Sequence, residues 1–346
     1  MLRRVVLRLM LWLLLLIIML AALGWYMLAM PGSSHNGEPP ALDATQQQQR
    51  ERLQGHVRHL AGTIGERNTE QAGSLEAAAS YIHDQFQAMG LVPRWREYRV
   101  DDDDSPFSGP FVNVEVELHG HRHADEVLVI GAHYDSAWPS PGADDNASGV
   151  AGLLEIARWF AEQKAAGRRF DRTIRFVAFA NEESPHFGGP SMGSKVYAAS
   201  AGQRDENIVG MFSLEMLGYY DNAPGSQRFP RPIEAFYPDR GNFIAFVADL
   251  RSRGLLHDTL AYFRDYATQP SQGIAAPAFM LPDIRRSDHA MFWQQGYPAL
   301  MVTDTAGFRN PHYHHHSDTP ETLDYAAMTR VVSGLARTFA ALAGGD

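Results

Sequence analysis

Acidic and histidine side chains follow several short apolar runs along this 346-residue chain. They are His133, Asp135, Asp144, Asp145, Glu182, Glu183, Glu215 and a histidine cluster at 312–316. Apolar runs of this kind predict buried strands, and sites in open α/β sheets form just past the carboxyl ends of strands. Carboxylates are costly to bury together unless cations pair with them. The pattern therefore predicts a pair of divalent metal ions at one edge of a sheet.

The amino-acid composition restricts the metal ligands. The chain has no cysteine, so a metal site has to use histidine, aspartate and glutamate. These ligands suit zinc and related divalent ions. The absence of cysteine also excludes a disulfide scaffold and a cysteine nucleophile.

Each of these motifs also has a structural interpretation. His133 alone could be a structural histidine, Glu182 and Glu183 could lie in a solvated loop, and Ser148 could cap the helix that it begins. The histidines at 312–316 could form a surface chelator without function. The structural interpretation would have to apply independently at each of five successive strand ends. A shared metal site explains all five motifs at once and is therefore favoured.

The chain past residue 44 alternates between predicted strands and helices. Branched apolar runs predict buried strands at 126–132, 173–180, 208–215 and 299–303, and an alternating pattern predicts another at 111–118. Helical periodicity predicts helices at 45–60, 75–89, 148–164, 287–295 and 321–342. We expect a three-layer α/β/α sandwich with a mixed, mostly parallel central sheet. Residues 222–284 are expected to add accessory helices and loops.

The N-terminal region is predicted to be a membrane anchor. Residues 9–30 carry no charge, and about 20 apolar residues span a bilayer as a helix. Arg3, Arg4 and Arg8 precede this run, which places the N-terminus in the cytoplasm and the rest of the chain outside it. A cleaved signal peptide is the competing interpretation, although its apolar region is usually shorter, about 7–15 residues.

Residues 1–30 are therefore predicted as a cytoplasmic stub with a transmembrane anchor, residues 31–44 as a linker and residues 45–346 as one catalytic domain. The bacterial inner membrane, with the domain in the periplasm, is the expected location. Lysine and arginine total 30 against 40 acidic residues, a balance that argues against nucleic acid as a partner. The acidic run 101–104 is expected to be a solvated loop, because it lacks the spaced ligands of a calcium hand.

The run of motifs resembles the co-catalytic di-zinc exopeptidases, which include bacterial leucyl aminopeptidases and glutamate carboxypeptidase II. The motifs are GAHYDS at 131–136, PGADDNASG at 141–149, FANEE at 179–183, SDHAMFWQQGYPAL at 287–300 and YHHHSDT at 313–319. The resemblance covers roughly residues 75–342, and the combination is much more specific than any one motif.

The resemblance implies two zinc ions per chain held by five side chains. The implied ligands are His133 and Glu215 for the first zinc, Asp145 as the bridge, and Glu183 and His314 for the second. It also implies catalytic roles for Glu182 as general base and for Asp135, which holds the ring of His133. Asp318 is an expected support, and a cis peptide is expected between Asp145 and Asn146. His312 and His316 could each replace His314 as the ligand.

The implied function is a membrane-anchored metallo-exopeptidase that acts on peptide substrates, with an aminopeptidase favoured. Many aminopeptidases of this family have aspartate where Glu215 stands, so a glutamate-type carboxypeptidase stays open. A glutaminyl cyclase with one zinc ion and a non-enzymatic relative also stay open. The resemblance does not specify the preferred terminal residue, the oligomeric state or the choice of zinc over manganese or cobalt.

Overall fold

The computed structural model describes residues 2–100, 108–231 and 233–344, so the acidic run 101–104 lies outside the described residues. In that part of the chain, eight strands form one sheet in the order β1-β2-β4-β3-β5-β8-β6-β7. The strands are β1 (Arg94–Val100), β2 (Gly109–Leu118), β3 (His123–His133), β4 (Arg172–Phe179), β5 (Asn207–Glu215), β6 (Ile244–Ala248), β7 (Ser271–Ala275) and β8 (Ala299–Thr303).

The four central strands β4, β3, β5 and β8 are parallel, whereas β1, β2 and the β6–β8 pair are antiparallel. Helices cover both faces: α2 (Ala44–Val57), α3 (Ser74–Ala88), α4 (Gly149–Ala165), α5 (Gly193–Gln203), α6 (Arg253–Tyr266), α7 (His289–Gln294) and α8 (Tyr325–Leu342). The predicted three-layer α/β/α fold with a mixed, mostly parallel sheet is confirmed.

Alternation along the strands explains the two helical layers. Successive side chains of a strand point to opposite faces of the sheet. Leu128 and Ile130 of β3 accordingly belong to the large core that contains α4 and α8. Val127 and Val129 of the same strand pack in a second core with α5 and α7. Strand β3 is thus buried on both faces, as its continuous apolar run predicts.

The prediction for residues 222–284 needs a correction. This region contributes two strands, β6 and β7, to the central sheet instead of only accessory helices and loops. Strand β6 is a fully buried run of five residues, too short to distinguish from a core helix by periodicity. Strand β7 has the sequence SQGIA, whose polar residues give no strand pattern in the sequence. Backbone pairing with β6 holds this strand in the sheet.

The first helix, α1 (Leu2–Leu28), precedes the sheet. Residues 3–28 are long and apolar enough to cross a membrane, although a signal sequence satisfies the same criterion. The structure has no helix or strand between Leu28 and Ala44. Helix α2 then starts with a capping box, in which Asp43 and Gln46 each accept a hydrogen bond from the other's backbone N–H.

Candidate metal centre

The predicted ligands converge at the carboxyl ends of the four parallel strands. His133 is the last residue of β3, and Glu215 is the last residue of β5. Glu182 and Glu183 follow β4 after a two-residue gap. The loops after β3 and β8 bring in Asp145 and His314, respectively. All the proposed metal ligands and the proposed base therefore share one edge of the sheet, which is where open α/β sheets place their sites.

Asp145 lies between two histidines and uses a different oxygen toward each. Its Oδ1 is 3.4 Å from His133 Nε2, and its Oδ2 is 3.1 Å from His314 Nε2. On one side, Glu215 Oε2 is 3.3 Å from His133 Nε2. On the other side, Glu183 Oε2 is 3.3 Å from His314 Nε2. Two groups of three donors thus share the Asp145 carboxylate.

These separations match the donor spacing around a zinc ion. Ligand bonds of about 2.0–2.1 Å at tetrahedral angles place neighbouring donor atoms about 3.3 Å apart. His133, Asp145 and Glu183 can hold a metal ion, and all three are buried. The buried Nε2 atoms of His133 and His314 and Oε1 of Glu183 have no hydrogen-bond partner among the described residues. Buried polar atoms are rarely left unpaired, so the donor set fits a cation.

The electrostatics of the cluster also favour a cation. Burial raises the pKa of Glu183 to about 8, and the nearby Asp145 carboxylate adds to the shift. Burial likewise raises the pKa of Glu182 well above its ordinary value and raises that of Glu215. Burial lowers the pKa of His314, but its contacts with Asp145 and Glu183 outweigh this and raise the pKa to about 10. A bound cation would therefore stabilise the ionised form of these carboxylates.

Asp135 orders more of the site than the ring of His133. Its Oδ1 is 3.3 Å from His133 Nδ1, within reach of the ring that it is predicted to hold. In addition, its two oxygens accept hydrogen bonds from the backbone N–H groups of Glu182 and Glu183, at 3.0 and 2.9 Å. One carboxylate therefore positions the ligand of β3 and the two glutamates that follow β4.

Asp318 has the matching role on the other side. Its two oxygens accept hydrogen bonds from the backbone N–H groups of Asp144 and Asp145, at 2.9 and 3.1 Å. The peptide bond between Asp145 and Asn146 is cis, which confirms that expectation. The side chain of Asn146 then bonds Leu214 and Met216, on either side of Glu215. A Cβ at Gly149 would overlap that side chain, so only glycine fits there.

Arg67 is a buried residue beside the site that the sequence analysis did not single out. Its guanidinium is fully buried and donates hydrogen bonds to five backbone carbonyl oxygens at 2.6–3.2 Å. Three of these carbonyls, from Tyr134, Pro141 and Gly142, belong to the segments that flank Asp135 and Asp145. An arginine in a loop carries no spacing signal, so the sequence alone does not reveal this contact.

The histidines at 312–316, which follow β8, differ in their contacts. His314 alone among residues 312–316 contacts the carboxylates of Asp145 and Glu183. His312 instead contacts Ser317, and both His315 and His316 are exposed. His314 also has a positive φ of 61°, a conformation that costs energy for a residue other than glycine and occurs preferentially at functional sites.

The SDH motif at 287–289 supplies one clear contact to the cluster. The hydroxyl of Ser287 donates a hydrogen bond to Glu215 Oε2 at 2.7 Å. Asp288 is fully buried near the cluster, and burial raises its pKa to about 7. His289 faces away, because its Nε2 donates to the carbonyl of Ile284, and burial lowers its pKa to about 4.

An apolar cavity of about 380 Å³ adjoins the cluster at Glu215. Its walls come from Phe229, Pro230, Ile233 and Tyr237, from the segment 281–286, from the strands β6, β7 and β8, and from the loop after β8. Aromatic and aliphatic side chains dominate the lining, including Phe229, Tyr237, Phe243, Val247, Leu281 and Met301. Arg286 is a charged residue on the wall, and its guanidinium lies 3.4 Å from the Asp283 carboxylate. The cavity therefore suits an uncharged, apolar group.

Comparison with known proteins identifies the family. The model of peptidase family M28 matches residues 113–339, which include all of the proposed ligands. The chain therefore belongs to peptidase family M28, and the resemblance seen in the motifs is confirmed. The chain is also 37% identical over 318 residues to the uncharacterized protein YfbL of Escherichia coli (strain K12), covering 89% of each chain.

Some more distant relatives are named as enzymes. A probable leucine aminopeptidase 1 of Trichophyton verrucosum is 28% identical over 214 residues, and the match covers 59% of this chain and 51% of the relative. The structure of BSAP, a zinc aminopeptidase of Bacillus subtilis, superposes with a TM-score of 0.65 at 13% identity over 85% of this chain and 95% of that one. A glutaminyl cyclase of Porphyromonas gingivalis superposes with a TM-score of 0.61 at 18% identity, over 84% and 96%. These two structures show a shared fold.

Proposed function

We propose that this protein is a membrane-anchored aminopeptidase that uses two zinc ions to hydrolyse the first peptide bond of its substrates. The observation that carries the proposal is the position of Asp145, whose two oxygens face two separate histidine–glutamate pairs. A shared carboxylate between two sets of donors is the arrangement that a two-metal site requires. His133 and Glu215 would hold one ion, and Glu183 and His314 the other.

When bound, the two ions would supply Lewis acidity that polarises the scissile carbonyl and acidifies a water molecule. Glu182 is the proton carrier in our proposal. Its Oε2 is 3.9 Å from His133 Nε2, farther than the donors of the two groups, so it lies beside the ligand set. It accepts a proton from the attacking water and later donates it to the departing amine. Asp135 holds the backbone of Glu182 in place during both transfers.

The cavity supports an aminopeptidase over a glutamate-type carboxypeptidase. A pocket for a glutamate side chain needs an available cation, whereas Arg286 is paired with Asp283 and the remaining lining is largely apolar. We therefore propose peptides with a free amine and an apolar first residue as the substrates.

A glutaminyl cyclase would share the fold but needs only one ion. Both histidine–glutamate pairs are complete in this chain, which favours the two-ion peptidase. The complete set also disfavours a non-enzymatic relative. We further propose that α1 spans the membrane with its N-terminus in the cytoplasm and the catalytic domain outside it, because three arginines precede the apolar run.

The decisive experiment is a metal count combined with a substrate panel on the full-length protein in detergent. The panel contains leucyl, phenylalanyl and glutamyl anilides, an N-acetylated leucyl anilide, a peptide with a C-terminal glutamate and an N-terminal glutamine peptide. We expect two zinc ions per chain and chelator-sensitive cleavage of the unblocked leucyl and phenylalanyl substrates.

Three other results would each contradict the proposed aminopeptidase. Cleavage restricted to the C-terminal glutamate peptide would indicate the carboxypeptidase. One ion with cyclisation of the glutamine peptide would indicate the cyclase. Two ions without any turnover would contradict the enzymatic proposal as a whole.

A further inference from the structure

The last turns of α1 are packed against the domain. Met27 is only 6% exposed, and it belongs to an apolar cluster with Phe243, Val247 and Met301. Leu23 and Leu28 pack against the same cluster. The end of the apolar helix is therefore part of a folded interface with β6 and β8.

Polar contacts extend this interface into the following segment. The guanidinium of Arg253 lies 4.1 Å from the ring centre of Tyr26 and donates a hydrogen bond to its carbonyl oxygen at 2.7 Å. Arg264 donates to the carbonyl of Pro31, and the backbone N–H of Ser271 donates to the hydroxyl of Ser34 at 2.9 Å. Several separate contacts thus hold the domain close to the end of α1.

The segment of residues 276–286, which we call the anchor-side loop, joins the same cluster. Ala276 and Ile284 are buried in it, and Ala278 and Leu281 pack against it. Phe279, at the middle of this loop, is 86% exposed, and Met280 is 50% exposed. Two large apolar side chains therefore point away from the domain on the loop that packs with the end of α1.

Helix length sets the depth of this loop. A helix rises about 1.5 Å per residue, so about 20 residues cross a hydrocarbon core of about 30 Å. Counted from Arg8, the crossing ends near Leu28, with Trp25 and Tyr26 where aromatic residues favour the interface. Leu23 then lies about 7.5 Å inside the outer boundary. A loop that shares a cluster with Leu23 and Leu28 has to lie at that boundary.

We propose that the anchor-side loop is a second membrane contact, which inserts Phe279 and Met280 into the outer face of the bilayer beside α1. The proposal rests on the proposed membrane-spanning role of α1. The exposed Arg285 follows the inserted residues and would lie at the level of lipid phosphates. Bilayer lipid is the occupant that the continuity with an apolar spanning helix indicates.

This contact would place the substrate cavity at the membrane surface. Leu281, Ile284 and Arg286 of the anchor-side loop line the cavity that adjoins Glu215. The apolar first residue of a peptide adsorbed to the bilayer would then reach the cavity without leaving the interface. We therefore infer that amphipathic, membrane-adsorbed peptides are the preferred substrate class of the proposed aminopeptidase.

The absence of cysteine allows a direct test with single-cysteine variants of the full-length protein. Phe279→Cys would carry an environment-sensitive fluorophore in vesicles of neutral and anionic phospholipids that contain nitroxide-labelled lipid. The matched control is Val92→Cys, which is 80% exposed and precedes β1, the strand at the opposite edge of the sheet from β7. Trp12→Cys, in the middle of α1, reports on the anchor itself.

We expect blue-shifted emission and at least threefold stronger lipid quenching at residue 279 than at residue 92, together with quenching at residue 12. Quenching at residue 12 with residue 279 equal to residue 92 would overturn the second contact and leave the anchor intact. Lack of quenching at both residues 12 and 279 would remove the anchor and this proposal together. The substrate panel tests the peptidase activity separately.

A second readout tests the consequence for substrates. The double variant Phe279→Ser, Met280→Ser should cleave a soluble leucyl anilide at the wild-type rate, because neither side chain lines the cavity. Its cleavage of an amphipathic peptide adsorbed to the same vesicles should fall at least threefold. Equal rates of wild type and variant on the adsorbed peptide would overturn the inferred substrate class.

Discussion

Replacing Arg67 by lysine tests how the metal centre is held together. The arginine donates to five buried carbonyl oxygens. A lysine has three donors on one atom, so at least two carbonyls would lose their partner. An unsatisfied buried polar group costs about 1–3 kcal/mol, which predicts a loss of about 2–6 kcal/mol in the free energy of unfolding.

Arg67 carries a buried positive charge beside the site. Burial lowers the pKa of Arg67 to about 10, and the carboxylates of Asp135, Asp318 and Asp145 oppose that shift. The side chain therefore stays protonated at neutral pH and offsets part of the negative charge around it. Arg67→Met, which removes the charge as well as the donors, should be destabilised more than Arg67→Lys.

The assays are thermal unfolding and metal counting on the full-length protein in detergent. A domain of this size should lose roughly 2–4 °C in Tm per kcal/mol, so Arg67→Lys should melt at least about 4 °C lower and retain less metal after dialysis. Arg50→Lys is the matched control, because Arg50 is exposed and its side chain contacts Gln47 on the same helix. A Tm within about 1 °C of the wild type, with full metal content, would refute the positioning role of Arg67.

Three further predictions concern the catalytic and structural carboxylates. Glu182→Gln should keep both metal ions and lose about 10²–10⁴-fold in turnover, and a near wild-type rate at full metal content would exclude Glu182 as the base. Asp145→Ala should lose metal itself, so a variant that retains two ions would show that Asp145 is not the bridge. Burial raises the pKa of Glu155, but its contacts with His56 and Arg52 outweigh this effect and hold the pKa at about 2. Glu155 therefore stabilises the fold above about pH 4.5 and loses this contribution as the pH falls to 2. The wild type should exceed Glu155→Gln in unfolding free energy by about 3 kcal/mol at most, and acid titrations should show this difference closing over that range. A difference that stays constant with pH would contradict the role of Glu155.

The sequence predicted that the candidate ligands lie near one another, because they stand at the ends of strands. His133 and Glu215 terminate apolar runs that are buried on both faces, and the parallel arrangement of β3 and β5 brings these ends together. The choice of His314 as the ligand stays a prediction, and His314 is the histidine of residues 312–316 that contacts Asp145 and Glu183. That choice came from motif spacing, which periodicity alone does not provide.

The contacts that depend on tertiary packing could not be predicted from the sequence. The backbone N–H groups of Glu182 and Glu183 donate to the side-chain carboxylate of Asp135, and the residue types at 182 and 183 do not encode these backbone donors. Arg67 is distant in sequence from most of the carbonyls that it binds. Strand β7 is held by pairing with β6 instead of by an apolar pattern, so its residues resemble a loop.

The structure weakens the argument that a glutamate at position 215 disfavours an aminopeptidase. A glutamate in place of aspartate weakened the inference to an aminopeptidase, because it departs from the pattern of many relatives with that activity. In the folded chain, Glu215 Oε2 reaches to 3.3 Å from His133 Nε2 and accepts a hydrogen bond from Ser287, which also contacts the hydroxyl of Ser213 on β5. The longer side chain is therefore held in a position that suits a ligand, and the residue type at 215 does not by itself separate the two reactions. The apolar cavity beside it, where Arg286 is paired with Asp283, provides the better discrimination and favours the aminopeptidase.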